Sequence, residues 1–508
     1  MWYIFVFAFT ALLGANYEEK TTVLYNSLDP SSLSELFAFY HLYPETKAGE
    51  RAYRKAWELI GLHREVGVEP EKLVEFSLDV KPMTAFVTRA PYEDAILLSE
   101  KELETVERIS DHLLHRKLKG HSVWNPDELF DLPNEEVDLS RAIFLYQFGK
   151  ENPLQVRSYE AYLDMMALQI LARLPKGYTD LQALEAINHF IFHELRYRFP
   201  PHSMWTEDVD LYTFLPSVLD SRHGVCLGVS ILYLGLAQRI GLPLEIITPP
   251  GHIYLSYQKG GKTINIETTA RGLDIPTEMY LGINTKNLKT RTLKEVIGLH
   301  FMNAAATAWH HNDPKKALSL YEQAQNFLHD DPLLLTFMAY NHLFLGEIKE
   351  GKALFKKIKE HPVEDALYPD TIIDDFLAKN IDAKGIQIVY KEVDERRESV
   401  LEKQEAIQKV LKSYPKFREG IFHLGVTWLQ LGRNKEALEC LKRYHALDPN
   451  NPTVEYYLST LSLQRWAFHD ALNHLNFCKA ILEKHNHRPR VLTALEKDLR
   501  QSAPTHLL

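Results

Sequence analysis

Arg222-His223-Gly224-Val225-Cys226, running straight into the apolar stretch Leu227 to Ile240, is the part of this chain that decides how it is built. Gly224 permits a tight turn. After it Val229, Leu232, Tyr233, Leu236 and Ala237 recur on one side with helical spacing, and Gly241 supplies the stop. Cys226 is therefore predicted at the start of a buried helix. There the positive end of the helix dipole and unclaimed backbone N–H groups favour a thiolate. Beyond Gly241 the period changes from about 3.6 residues to 2. Leu244 to Ile247 is a short apolar run, His252 to Tyr257 alternates, and Gly260-Gly261 turns the chain into Thr263 to Thr268. A helix followed by antiparallel strands predicts an α+β core.

Alternation puts His252, Tyr254 and Ser256 on one face, and in the partner strand Asn265 and Glu267 share a face. A hairpin turning at Gly260-Gly261 brings Glu267 roughly level with His252. Thiol, imidazole and carboxylate in that order are the nucleophile, base and orienting group of cysteine catalysis. The N–H groups of the Cys226 helix would hold an oxyanion. Taken singly, a cysteine at a helix start is more often a small buried residue, and a histidine at a strand start a satisfied polar one. The turn glycine, the Pro249-Pro250-Gly251-His252 run and the aligned Glu267 mark this combination out. The other two cysteines, Cys440 and Cys478, fall inside helical repeats, and three cysteines in so long a chain predict no disulfide framework.

Leu219-Asp220-Ser221-Arg222-His223-Gly224-Val225-Cys226, the run Leu236-Ala237-Gln238-Arg239-Ile240-Gly241-Leu242-Pro243, and Pro250-Gly251-His252 together resemble the bacterial transglutaminase-like core. The resemblance is to its SirB-like branch, in which a helical region precedes the core and tetratricopeptide repeats follow it. It covers roughly 139–290 and extends loosely to about 360. It implies a papain-like fold, helices against an antiparallel sheet, with a Cys-His-Asp triad. Cys226 matches the nucleophile and His252 the base, whereas Glu267 stands where Asp is usual. Many SirB-like sequences lack the cysteine; this one has it. The implied activity is on amide bonds of a protein or peptide substrate: protease or deamidase if water resolves the thioester, acyl transferase if an amine does. The alternative is a non-catalytic scaffold, with a retired core and repeats that bind.

The 508 residues are 45% apolar and 25% charged, an ordinary globular composition for about three folding units. The net charge of −10 gives no electrostatic reason to expect nucleic acid. Residues 1–15 hold an apolar run too short to span a bilayer but suited to a signal peptide, which predicts export to the periplasm and no stable membrane span; a buried N-terminal helix is the bland reading. Residues 16–138 form an N-terminal helical region: Leu33, Leu36 and Phe37, then Tyr53, Trp57 and Ile60, have helical spacing, while 117–137 reads as loop. The core spans 139–297. Its helices are predicted at Ala142 to Tyr146, Tyr159 to Leu174, and Leu181 to at most Phe199, the last stopped by Pro200-Pro201.

An all-α repeat solenoid is predicted over 298–485, then a tail over 486–508. In the cleanest unit Leu424, Gly425, Trp428, Gly432, Ala437, Leu441 and Pro449 stand where a tetratricopeptide repeat needs them. Leu458, Ala471, Leu475 and Cys478 mark a second unit. Ala317, Tyr321 and Ala324, with Gly346 and Phe355, mark two looser ones, and 391–412 reads as a charged helix between the pairs. Such repeats predict a protein partner held in a concave groove. His189 and His193 share a helix face beside Glu194, but without the His-Glu-x-x-His order or a third ligand they read as surface histidines. His310-His311 and His485-Asn486-His487 read as solvated helix ends. No Gly-rich phosphate loop or serine elbow is present, so the sequence implies no cofactor and no metal. Trp205 reads as core or as the lining of a cleft.

Overall fold

The computed structural model describes residues 17–64, 97–200, 212–360, 365–394 and 396–503. The apolar segment 1–15, the helical reading of 65–96 and Trp205 lie outside the described residues. The described chain divides into two units. One takes the described residues up to Phe199 together with Phe214–Leu244 and Thr268–Gly272. The other takes the described part of Pro200–Thr213, then Glu245–Glu267 and everything from Leu273 onward. Among the described residues no helix is long and apolar enough to cross a membrane.

In the first unit the sequence pattern becomes a helical core. Helices Leu33–Leu42 and Lys47–Gly61 bury Leu33, Leu36, Phe37, Trp57 and Ile60, as their spacing predicts. The helices Leu139–Phe148 and Cys226–Ile240 start within three residues of where periodicity placed them, and Pro153–Ala172 starts six residues earlier than predicted. Pro153–Ala172 is buried nearly all round, as befits a helix surrounded by others. The 117–137 segment is a chain of short 3₁₀ turns, in keeping with its broken periodicity.

The charges this core encloses are paired. Asp164 receives Arg239 Nε at 2.8 Å and Ser110 Oγ at 2.9 Å, is also bonded by Arg116, and has His115 Nε2 3.2 Å away. Glu160 is held by Arg141 Nη2 at 2.7 Å and by its Nε. A buried carboxylate without such partners would not stay ionised.

One helix departs from expectation. Asp180–Asn188 continues as a π-helical turn, His189–Glu194, and stops well before Pro200. The cause is tertiary pairing rather than proline. Arg196 takes φ 59°, Tyr197 N–H reaches back to Ile191 O at 3.0 Å, and Arg198 pairs with the cysteine turn. Arg198 N–H donates to Arg222 O at 3.2 Å, and Gly224 N–H to Arg198 O at 3.1 Å.

The second unit joins a small sheet to the repeats. Strands β1 (Glu245–Thr248), β2 (Tyr254–Lys259), β3 (Lys262–Ile266) and β4 (Lys289–Arg291) form an antiparallel sheet in the order β3-β2-β1-β4. Gly260 and Gly261 turn β2 into β3 with φ of 60° and 78°, a two-residue hairpin turn that asks for glycine. Two expectations need correcting. His252 precedes β2, in a turn closed by its N–H on Pro249 O at 3.1 Å. The register Leu255↔Ile266 then sets Glu267 beyond β3 and opposite Tyr254, one step along the same face from His252. β4 was not foreseen, because three residues show no period.

Sheet and repeats are tied by buried Asp331, which accepts Arg291 Nη1 at 2.8 Å and Lys289 Nζ at 3.0 Å. Four helix hairpins follow: Leu293–His310 with Pro314–Leu328, Pro332–Phe344 with Ile348–Glu360, Arg418–Gln430 with Asn434–Leu447, and Pro452–Gln464 with Phe468–Glu483. Each turn holds one left-handed residue: Asn312, Gly346, Gly432 and Trp466. In each, the following N–H reaches back over the helix end: Asp313 to Ala308 O, Glu347 to His342 O, Arg433 to Trp428 O and Ala467 to Ser462 O. From 312 to 346 and from 432 to 466 is the tetratricopeptide period of about 34 residues. Between the two pairs lie Ile372–Leu377, Ala383–Tyr390 and the charged helix Arg397–Ser413.

Past Glu483 the chain forms a further helix, Arg490–Ser502, whose Leu492, Leu495 and Leu499 pack with Leu475, Cys478 and Leu482. His487 is buried, with Nε2 2.8 Å from Gly282 O, and so is not a solvated helix end; His310 pairs with Glu392 at 3.1 Å.

Candidate active site

Cys226 is the first residue of its helix, after an extended Val225 with no side-chain cap, and its thiol is half-buried. The turn before it is built for one shape. Arg222 sits in the left-handed region at φ 56° and ends helix Leu215–Ser221. A Cβ at Gly224 would meet Val229 Cγ2 at 2.5 Å and both Val218 methyls at 3.2 Å, so only glycine fits. His223 is fixed from both sides: its N–H donates to Ser221 Oγ at 3.0 Å, Nδ1 to Ser221 O at 2.8 Å, and Nε2 accepts from Arg198 Nε at 3.1 Å. These bonds require the Nδ1–H tautomer.

In the second unit His252 and Glu267 come together as expected. His252 Nε2 lies 2.7 Å from Glu267 Oε2, with the carboxylate buried and the ring half-buried. An ionised carboxylate only accepts, so Nε2 is the donor. Tyr280, which the sequence reading missed, donates its hydroxyl to the same Oε2 at 2.5 Å. Its ring lies nearly parallel to His252, with centroids 5.8 Å apart, and stacks on Tyr254 at 4.4 Å. Burial, and then the adjoining Glu267 carboxylate, push the Tyr280 phenol above its ordinary range, so it stays a donor.

Tyr280 is carried there by a loop pinned to β3. Asn265 N–H donates to Asp274 Oδ1 at 2.9 Å, Asn265 Nδ2 to Ile275 O at 2.7 Å and to Thr277 Oγ1 at 3.1 Å, and Glu267 N–H to Leu273 O at 3.0 Å. The polar Asn265 on the same face as Glu267 was the one sequence signal for this loop.

The remaining candidates make other contacts. Burial pushes the Cys440 thiol up to about 11; burial, with Glu455 adding to it, pushes Cys478 up to about 12. Neither is set to ionise near neutrality. His189 and His193 stack at 5.6 Å, His189 being largely exposed and 3.3 Å from Glu194.

Residues 157–293 match the transglutaminase-like superfamily. F-box only protein 21 of Mus musculus is 31% identical over 122 residues, 23% of this chain and 18% of that protein. Its Homo sapiens counterpart is 30% identical over the same shares. The chain thus spans less than a fifth of the length of these relatives. Among solved structures, a thermophilic TPR protein of Thermus thermophilus is 17% identical and covers 40% of this chain and 99% of its own, with a TM-score of 0.21. The repeat assignment rests on the hairpin turns themselves. Residues 157–293 carry a transglutaminase-like domain, and an all-α tetratricopeptide-repeat region follows it.

Proposed function

We propose that this protein is a cysteine enzyme acting on amide bonds of a protein or peptide, with Cys226 as nucleophile, His252 as base and Glu267 as the group that orients His252. The observation that carries this reading is the 2.7 Å bond between His252 Nε2 and buried Glu267, a carboxylate further fixed by Tyr280. With Nε2 committed to Glu267, proton transfer falls to Nδ1, which takes the Cys226 proton. The sulfur attacks the amide carbonyl, and the first-turn N–H groups of the Cys226 helix hold the oxyanion. As the C–N bond breaks, His252 returns the proton to the departing amine and a thioester remains. Water or an amine then resolves it, with His252 again taking the proton. Glu in place of the usual Asp keeps the charge and the bond to His252. The repeats recruit a protein partner, the role such stacks serve. Export through residues 1–15 belongs to the same proposal.

p-Nitrophenyl acetate tests this directly. The intact protein should release a burst of nitrophenol equal to its own concentration and carry one acetyl group on Cys226 by peptide mass spectrometry. Cys226→Ser should give no burst, and His252→Ala should slow it on the order of 10²-fold or more. A chain that stays unacetylated, or acetylates equally fast without His252, supports the binding-scaffold reading instead.

A further inference from the structure

We propose that His445, Glu455 and His474 bind one divalent transition-metal ion of the zinc type within the repeat region. The three residues stand on successive helices of two neighbouring hairpins: His445 on Asn434–Leu447, Glu455 on Pro452–Gln464 and His474 on Phe468–Glu483. His445 Nδ1 lies 2.5 Å from Glu455 Oε1, and His474 Nδ1 lies 2.8 Å from Oε2. Ligand atoms of all three lie within 4.8 Å of one another. The rings are almost perpendicular, at 89° with centroids 5.4 Å apart, so the carboxylate is approached in two planes.

Charge makes the case beyond proximity. Glu455 is fully buried, and among the described residues its hydrogen-bond and ion-pair partners are these two imidazoles, with no lysine or arginine. With no lysine or arginine beside it, the buried Glu455 has no permanent positive charge against it, which is costly. A divalent ion balances it. Two imidazole nitrogens and one carboxylate oxygen suit a borderline ion, with a further position for water.

The site also has an entrance, since the His445 and His474 side chains are 31% and 16% exposed above the buried carboxylate. Loading needs no exotic step. The proton on each Nδ1 leaves to solvent or passes to Nε2, and the metal replaces the two Nδ1–H···O bonds. Bonds of about 2.0–2.2 Å then spread neighbouring ligand atoms to roughly 3.3 Å, a small outward movement of two partly exposed rings. Cys478, one turn beyond His474, bonds Pro452 O at 3.4 Å and is not counted as a ligand. No two of the three ligands share a helix, so no short motif announces the site.

The test uses the full chain, stripped with chelator and dialysed, with Zn²⁺ alone as the probe in calorimetric titration and thermal unfolding. The expected result is one equivalent bound and a raised Tm. His474→Ala and Glu455→Gln should each weaken Zn²⁺ binding about tenfold or more. Cys226→Ser and the His189→Ala/His193→Ala pair should leave it unchanged. If His474→Ala fails to fold, His474→Gln, checked by metal-free circular dichroism, takes its place. Failure to bind one equivalent, or binding unaltered in the His474 and Glu455 variants, overturns the proposal.

Discussion

Asp164→Ala should destabilise the protein by about 3–5 kcal/mol, read as a fall in the urea midpoint at neutral pH. The reason is what the substitution leaves behind. Asp164 is wholly buried, and so is Arg239, whose Nε it accepts at 2.8 Å, while Arg116 bonds the other oxygen. Burial disfavours the Asp164 carboxylate, but His115, Arg116 and Arg239 more than offset this and hold it well below the usual carboxylate range. At neutral pH His115 is uncharged, so the two guanidiniums carry the pairing. Alanine leaves Arg239 in the core and Arg116 at its edge without their carboxylate, while Ser110 keeps Val106 O as an acceptor. Glu405→Ala, which breaks an exposed pair with Lys409, should shift the midpoint by nothing measurable. A midpoint equally indifferent to Asp164→Ala would mean that the arginines find water or other partners.

Acid should destabilise the fold between about pH 6.5 and pH 4, well before most carboxylates titrate. Burial lowers the His300 imidazole to about 4, and burial followed by the Arg239 charge lowers His115 to about 4. In the unfolded chain both take a proton near 6.5. The folded state resists that proton, so their contribution is complete above pH 6.5 and fades as pH falls toward 4. Each can contribute up to about 3 kcal/mol. Thermal midpoints measured from pH 7 to pH 4.5 should fall steadily, and His300→Leu, which cannot titrate, should flatten the slope. An unchanged slope in that variant would show that His300 is already charged, or hydrated, in the native protein.

How much of this was legible in the sequence depends on the range of the interaction. The Cys226 helix was readable because Gly224, its apolar face and Gly241 are local signals, and the Gly260-Gly261 turn was readable for the same reason. The repeats were readable because their period is fixed by turn geometry, although Asn312 and Trp466 hold the left-handed position where glycine would be expected. What escaped is what the chain brings together from afar. The helix predicted over 181–199 stops at Glu194, leaving Arg198 free to pair with the cysteine turn, a pairing that no local rule contains. Glu267 was placed roughly level with His252 by counting from the turn; the register sets it opposite Tyr254, and a side chain one methylene longer than Asp spans the diagonal. Tyr280 reaches the site through a loop held by Asn265, Asp274 and Thr277, with no periodicity to betray it. The His445–Glu455–His474 cluster is scattered over three helices. His487 read as solvated because helix ends usually are; its burial comes from a bond to Gly282, far away in sequence.

The central claim is that Cys226 and His252 act as a pair, and the pH dependence of Cys226 alkylation by iodoacetamide tests it most directly. The intact protein should alkylate rapidly below pH 7, and His252→Ala should lose that limb and react only as an ordinary thiol above about pH 8. Slow alkylation with an ordinary thiol profile in both proteins would contradict it.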